Sequence, residues 1–232
     1  MIPKIFHQSS RYFTWEERKL AEKARALMPE WEYHLWMDED NLALVKQLRP
    51  SEVEEYLKFP NGAARLDIAR YLYMYQYGGI YFDTDFRFCQ AINEELLSNL
   101  CILGIEEDDA SELGGGPKFG NAFIASQRGL ALWTELVDSI FTRFRKGEHC
   151  NDGWYLSGPY ALNTFLRNQK QYGEMVTILP RDVLYPRRTK FYLTAAHNPE
   201  TIGVHLMWGS WRDMSRLHKV KNRLRRILSA VL

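Results

Sequence analysis

Cysteine is scarce in this 232-residue chain: three in all, Cys89, Cys101 and Cys150. They form no Cys-x-x-Cys pair, so neither a zinc ribbon nor a dithiol redox centre is expected. An odd, sparse set also argues against a disulfide-stapled fold and for free thiols in a reducing compartment. Proline and glycine are few, at 9 and 15, and no low-complexity tract or internal repeat interrupts the sequence. Without a linker, one globular domain is the economical reading. Uninterrupted apolar runs of about 18 residues are missing too, and with them the pattern of a membrane-spanning helix. Residues 1–6 lack the basic leader and long apolar stretch of a signal peptide. Net charge is only +1, which gives no electrostatic signal for nucleic acid.

What is present is a core-forming composition, 46% hydrophobic, sufficient for one sizeable domain. Charge is unevenly placed. Residues 212–232 hold seven Lys/Arg against one acid, Asp213. Leu217, Val220, Leu224, Ile227, Leu228 and Val231 recur there at helical spacing, with Arg216, Lys219, Arg223 and Arg226 between them. This predicts a basic amphipathic helix that lies on a membrane surface or docks on the domain, whose own extent is residues 1–211.

Along the chain, strand-like and helix-like segments alternate. Strands are expected at 2–7, 31–37, 80–82, 101–105, 122–126, 175–179 and 202–206. Helices are expected at 15–27, 38–48, 63–77, 130–144 and 160–168. Residues 106–120, acidic and then glycine-rich, read as a loop. This alternation predicts an α/β layered fold with a largely parallel sheet.

The most informative run is Tyr71 to Asp85. An aromatic-rich helix stops at Gly78-Gly79, which supply the left-handed conformation helices commonly need at their end. The short apolar strand Ile80-Tyr81-Phe82 then delivers Asp83 and Asp85. Residues two apart in a strand share a side, so both carboxylates point the same way beyond the sheet's carboxyl edge, where open α/β sheets bind ligands. Paired hard oxygens suit Mg²⁺ or Mn²⁺ held against substrate phosphates. Asp67 and Arg70, three apart, share one face of the preceding helix. The tyrosines Tyr71, Tyr73, Tyr75 and Tyr77 read as packing residues rather than sugar platforms.

Ala64-Arg65-Leu66-Asp67-Ile68-Ala69-Arg70, followed by Gly78-Gly79-Ile80-Tyr81-Phe82-Asp83-Thr84-Asp85, resembles the DXD sugar-binding region of glycosyltransferase family 32. Ile2-Pro3-Lys4-Ile5-Phe6-His7-Gln8, Gly120-Asn121-Ala122-Phe123-Ile124-Ala125-Ser126 and His205 through Gly209-Ser210-Trp211 resemble other segments of that family, in the same order. The resemblance implies a GT-A fold, Rossmann-like, with a continuous, mostly parallel mixed sheet flanked by helices. It also implies a UDP- or GDP-sugar donor, Mn²⁺ or Mg²⁺, and transfer with retention to a glycan or lipid-linked oligosaccharide.

Carried over by position, Asp85 is the direct metal ligand, Asp83 reaches the metal and the donor, and His205 is a third ligand. Asp67, Arg70 and Asp83 form the catalytic group. His7 and Gln8 would line the base pocket, Tyr81 would lie near the nucleoside, Asn121 would touch the transferred sugar or the acceptor, and Ser210 and Trp211 would close the site. The matching of bacterial capsule enzymes within that family, and the lack of an anchor before the first strand, predict a cytoplasmic bacterial enzyme of polysaccharide or capsule biosynthesis, peripheral on the inner membrane face. A metal-dependent nucleotidyltransferase or phosphohydrolase, or a non-catalytic glycan- or membrane-binding module, would use the same aspartates differently.

Overall fold

The computed structural model describes residues 1–148, 152–186, 199–209 and 226. Cys150, Ser210, Trp211 and all of the basic 212–232 segment except Arg226 lie outside the described residues, and with them the amphipathic helix read there.

The first half runs β1 (Ile5–Ser9), α1 (Trp15–Leu27), β2 (Glu32–Trp36), α2 (Asp38–Leu48), α3 (Val53–Leu57), α4 (Gly62–Gln76), β3 (Gly79–Phe82) and β4 (Phe86–Phe88). The second half runs β5 (Cys101–Glu107), β6 (Lys118–Phe119), β7 (Phe123–Ser126), α5 (Ala131–Arg145), α6 (Gly153–Leu156), α7 (Pro159–Asn168), α8 (Lys170–Gly173), β8 (Val176–Leu179), α9 (Arg181–Leu184) and β9 (Gly203–His205). The main sheet has the order β2-β1-β3-β7-β5-β6, with β8 also paired to β5. The α/β class is as read from the alternation, but the sheet is less parallel than expected. Strands β1/β2, β1/β3 and β5/β8 pair in parallel, whereas β3/β7, β5/β7 and β5/β6 are antiparallel. A separate ribbon, β4 with β9, stands off the main sheet. The expected loop at 106–120 contains β6 and the end of β5.

Two helices explain how the site is held. Thr14 begins α1 with a full capping box: its side chain accepts from Glu17 N, and Glu17 reaches back to Thr14 N. Such reciprocal bonds satisfy two of the orphan donors at a helix start. Helix α4 starts at Asn61, whose side chain accepts from Ala64 N at 2.9 Å. It is apolar nearly all round, with Ala64, Ile68, Ala69, Tyr71, Leu72, Tyr73 and Met74 buried, as befits a central helix rather than a surface one. Tyr71 stacks on Trp133 of α5 with ring centres 5.8 Å apart. The packing role read for these tyrosines holds for Tyr71 and Tyr73, both fully buried.

Gly78 and Gly79 turn α4 into β3 with φ of +66° and +90°. A Cβ on Gly79 would come within 2.5 Å of Ile5 O, and one on Gly78 within 2.6 Å of Arg128 N. Both neighbours are backbone, so Gly78 and Gly79 are needed for handedness and for close approach of the chain. Among the described residues no helix is long and apolar enough to cross a membrane.

Candidate metal and donor site

Strand β3 ends at Phe82, and the chain leaves the sheet as Asp83-Thr84-Asp85. Ribbon pairing then brings a distant segment to this point, because Phe86 of β4 sits opposite His205 of β9. The carboxylates of Asp83 and Asp85 and the His205 ring each offer an atom within 4.8 Å of the others. His205 Nε2 lies 3.2 Å from Asp85 Oδ1 and 3.7 Å from Asp83 Oδ2.

After β9 the backbone wraps round Asp85. Leu206 N–H donates to Asp85 O at 2.9 Å, and Trp208 N–H donates to Asp85 Oδ2 at 2.6 Å. Between them Met207 has φ +48°, an uncommon left-handed conformation for a side-chain-bearing residue. This local strain lets two N–H groups two residues apart converge on one aspartate. Arg226 reaches the same place: its guanidinium lies 4.8 Å from the Trp208 ring centre and donates to Thr14 Oγ1 at 3.2 Å.

Burial drives the Asp85 pKa up, but the His205 charge, its hydrogen bond and the Trp208 N–H more than offset this, leaving it below the ordinary value. For His205 burial is the largest single effect and acts downward. The charge and hydrogen bond of Asp85, together with the charges of Asp83 and Glu106, outweigh it, so the ring is raised. The two groups thus favour one another's ionised form, a carboxylate beside an imidazolium. Two anionic oxygens and one imidazole nitrogen form a set that suits a divalent ion.

A second cluster lies on the α4 side. Arg70 Nη2 is 3.3 Å from both Asp67 Oδ1 and Asp83 Oδ1, and its Nη1 donates to Asn121 O at 2.6 Å. The guanidinium stacks 4.4 Å from the centre of the Tyr81 ring, and Tyr81 Oη donates to Asp83 Oδ1 at 2.7 Å. Asp67 accepts from Asn121 Nδ2 at 3.0 Å and from Ser157 Oγ at 3.2 Å. Burial raises the Asp67 pKa to about 6, with the Asp83 charge adding and Arg70, Ser157 and Asn121 opposing. Arg70 therefore links the two carboxylate groups, Asp67 below and Asp83 at the rim.

Asp67, Arg70, Tyr81, Asp83, Asp85, Asn121 and His205 are all brought into this one region. His7 and Gln8 sit beneath it, with 1% and 0% exposure. Both side chains make supporting contacts there. His7 Nε2 bonds to Gly78 O at 2.9 Å, and its Nδ1 accepts from Trp36 Nε1 at 3.1 Å. Gln8 Nε2 donates to Asp83 O at 3.2 Å while its Oε1 accepts from Tyr33 Oη at 2.7 Å. Both side chains are used up in holding the glycine turn and the aspartate backbone. Ser157, Trp208 N–H and Glu17 escaped sequence reasoning. Only the Thr14-x-x-Glu17 capping pattern was a local signal; the others depend on contacts across long stretches of chain.

His7 has a consequence for stability. Burial, with a smaller contribution from His34, lowers its pKa to about 4 against the opposing Gly78 hydrogen bond. The unfolded histidine titrates near 6.5. Between those values the unfolded chain takes up a proton that the folded one refuses. Stability present above pH 6.5 is therefore lost as pH falls towards 4, by about 3 kcal/mol. Asp67 acts in the opposite sense, since its raised folded pKa favours the native state as pH falls through 6. The comparison must therefore isolate His7. Urea unfolding of wild type and His7→Phe at pH 7 and pH 4.5 is expected to show a smaller acid loss in the variant. Equal losses would remove His7 from the account.

The acidic pair thus stands just beyond the third strand, with a histidine of β9 beside it. Residues 14–101 match the family described as "Glycosyltransferase sugar-binding region containing DXD motif". The chain carries that family's DXD region. It is 36% identical over 91 residues to "Inositol phosphoceramide mannosyltransferase 3" of Schizosaccharomyces pombe, a match covering 36% of this chain and 24% of the relative. It is 34% identical over 87 residues to "Mannosyl phosphorylinositol ceramide synthase CSH1" of Saccharomyces cerevisiae, covering 37% and 23%. A longer match, 22% identical over 261 residues and covering 86% and 66%, is to "Initiation-specific alpha-1,6-mannosyltransferase" of Candida albicans. The chain thus spans about a quarter of the length of the first two relatives.

Among solved structures it resembles the ligand-free glycosyltransferase domain from the YGT toxin, with a TM-score of 0.56, 9% identity, and coverage of 77% and 80%. These relatives correct one expectation. The reading of a bacterial cytoplasmic enzyme is overturned, because the curated relatives are yeast mannosyltransferases. Their names speak of mannosyl transfer, two of them together with an inositol-phosphate ceramide, and give no support to capsule biosynthesis.

Proposed function

We propose that this chain is the catalytic unit of a retaining mannosyltransferase. In this reading it uses a nucleoside-diphosphate mannose and a divalent cation, and transfers the sugar to a hydroxyl of an inositol-bearing lipid or a glycan. The observation that carries the reading is the convergence of Asp83, Asp85 and His205 from opposite ends of the sequence. The DXD match and the mannosyltransferase relatives support glycosyl over nucleotidyl transfer.

Asp83, Asp85 and His205 would hold Mn²⁺ or Mg²⁺, and the imidazole favours Mn²⁺ of the two. Such an ion neutralises charge on a departing diphosphate, a contribution of several kcal/mol. The chain's own residues do the rest. Arg70, buried and held by Asp67, Asp83 and Asn121 O, places a fixed positive charge behind the acidic rim. Preorganised charge of this kind costs no reorganisation during reaction. Asp67 faces developing positive charge on the sugar while Asn121 and Ser157 fix its orientation. Tyr81 orients Asp83, and His7 and Gln8 support the turn from below.

Asp67 is bound by three partners and is poorly disposed as a nucleophile. This favours same-face substitution over a glycosyl-enzyme, since a double displacement needs a carboxylate free to attack. Residues 1–211 form the catalytic unit in this reading, with the basic 212–232 segment as the candidate contact to a lipid surface.

The test is a panel of GDP-mannose, UDP-glucose and UDP-galactose with Mn²⁺ and inositol phosphoceramide in mixed micelles. GDP release from GDP-mannose, abolished by EDTA, with an α-linked product by NMR, is the expected result. Release of pyrophosphate or inorganic phosphate instead would assign a different phosphoryl chemistry.

A further inference from the structure

Glu17 has a use that its place in a helix cap does not explain. Its Oε2 accepts from Thr14 N at 2.7 Å, completing the capping box of α1. Its Oε1 accepts from Thr84 Oγ1 at 2.7 Å, across 67 residues of chain. Thr84 is the residue between Asp83 and Asp85. Glu17 is 4% exposed, and a carboxylate so deeply placed is costly unless its oxygens are bonded. Both are, one to the helix start and one to the acidic turn. A cap needs only the first bond.

We propose that Glu17 is a positioning residue for the cation site, acting through the Thr84 hydroxyl. The turn Asp83-Thr84-Asp85 follows the end of β3, with Asp83 N–H donating to Ala122 O and Asp83 O accepting from Phe86 N–H. Asp83 is tied by Tyr81 and Gln8, and Asp85 by Leu206 and Trp208. Thr84 is tied to α1, so a rigid helix start fixes the one residue on which the relative orientation of the two aspartates turns. Groups that orient metal ligands from behind typically change metal affinity about 10- to 100-fold when removed. The inference rests on the reading of Asp83, Asp85 and His205 as a cation site.

Thr84→Val removes the hydroxyl at nearly constant shape, and Thr84→Ser restores it. Thr14→Ala serves as a control, because it weakens the helix cap but keeps the Thr14 N and Thr84 bonds to Glu17. Mn²⁺ binding to the full chain is followed by the electron paramagnetic resonance signal of the free ion, with melting temperature measured alongside. The expected result is a Mn²⁺ dissociation constant raised about tenfold in Thr84→Val and Glu17→Ala. Thr84→Ser should match wild type, and Thr14→Ala should lower the melting temperature without changing Mn²⁺ affinity. Wild-type affinity in folded Thr84→Val overturns the proposal alone. Loss of affinity in Thr14→Ala equal to that in Thr84→Val would reduce Glu17 to a general structural role and also overturn it. A wild-type chain that binds no Mn²⁺ overturns both this inference and the cation site beneath it.

Discussion

Asp85→Asn is expected to lower metal-dependent release of nucleoside diphosphate by about 10³-fold, corresponding to about 4 kcal/mol of transition-state stabilisation. The size follows from where Asp85 sits. It is the residue on which His205, the Trp208 N–H and the Leu206 N–H all converge. An amide keeps an oxygen for the Trp208 N–H, so the wrapping backbone stays satisfied. What it loses is the negative charge that a cation requires. The fold should survive at a cost, because His205 loses its buried charged partner, so the variant should melt below wild type in the absence of metal. Mn²⁺ should raise the wild-type melting temperature and leave that of the variant unmoved, because stabilisation by a ligand follows its affinity for the native state. Undiminished turnover in the variant, with Mn²⁺ still required, would move the cation elsewhere and remove the central premise.

The second large effect is on stability. Arg70→Met should destabilise the protein by about 3–5 kcal/mol, the usual cost of removing one member of a buried ion cluster. Arg70 is 6% exposed and stands between Asp67 and Asp83, each at 3.3 Å. Methionine fills much of the volume but leaves two carboxylates without their shared cation and Asn121 O without its donor. Against a typical total of about 5–15 kcal/mol such a loss is a large fraction.

Urea unfolding at pH 7 measures it directly. Arg70→Lys should recover only part, since one ammonium cannot reproduce a fork that serves Asp67, Asp83 and Asn121 O together. Asp67→Asn combined with Arg70→Met should lose less than the sum of the two single changes, because the buried charge left by the second is removed by the first. A cost below about 1 kcal/mol for Arg70→Met would show that the cluster is solvated in solution and that Arg70 is not its keystone.

Local signals in the sequence carried a good part of this arrangement. The turn from α4 to β3 was legible because two consecutive glycines, an aromatic helix and a three-residue apolar strand obey short-range rules. Asp67 and Arg70 were legible as a pair because three-residue spacing on a helix puts them side by side, and the 3.3 Å contact follows from that. Strand alternation predicts a shared side for Asp83 and Asp85, but residues 83–85 form a turn beyond β3, and that turn with the β4/β9 ribbon brings their carboxylates together.

Other features could not be read in that way. The sequence places His7 and Gln8 at the end of the first strand, where ligands are expected, but β1 runs Ile5–Ser9 and holds them within the sheet. Whether such residues face a cavity or a neighbouring strand depends on packing, and here β3 and Trp36 cover them. The ribbon of β4 and β9 joins residues more than a hundred apart, each strand only three residues long. The strand expected at 202–206 is found as β9, but β4 and its pairing with β9 could not be read, because pairing between remote segments leaves no local pattern. The same holds for Ser157 against Asp67 and Glu17 against Thr84, at separations of 90 and 67 residues.

The sequence by itself determined the class of fold, the position of the acidic pair and the turn that presents it, because backbone sterics, strand alternation and helix spacing act over a few neighbouring residues. Only tertiary structure decided which side chains complete the site and which merely support it. That choice is made by packing, burial and hydrogen bonds between segments remote in the chain. It closes His205 and the strained Met207 strap over Asp85, seals His7 beneath, and hands the turn at Thr84 to a glutamate at the start of the first helix.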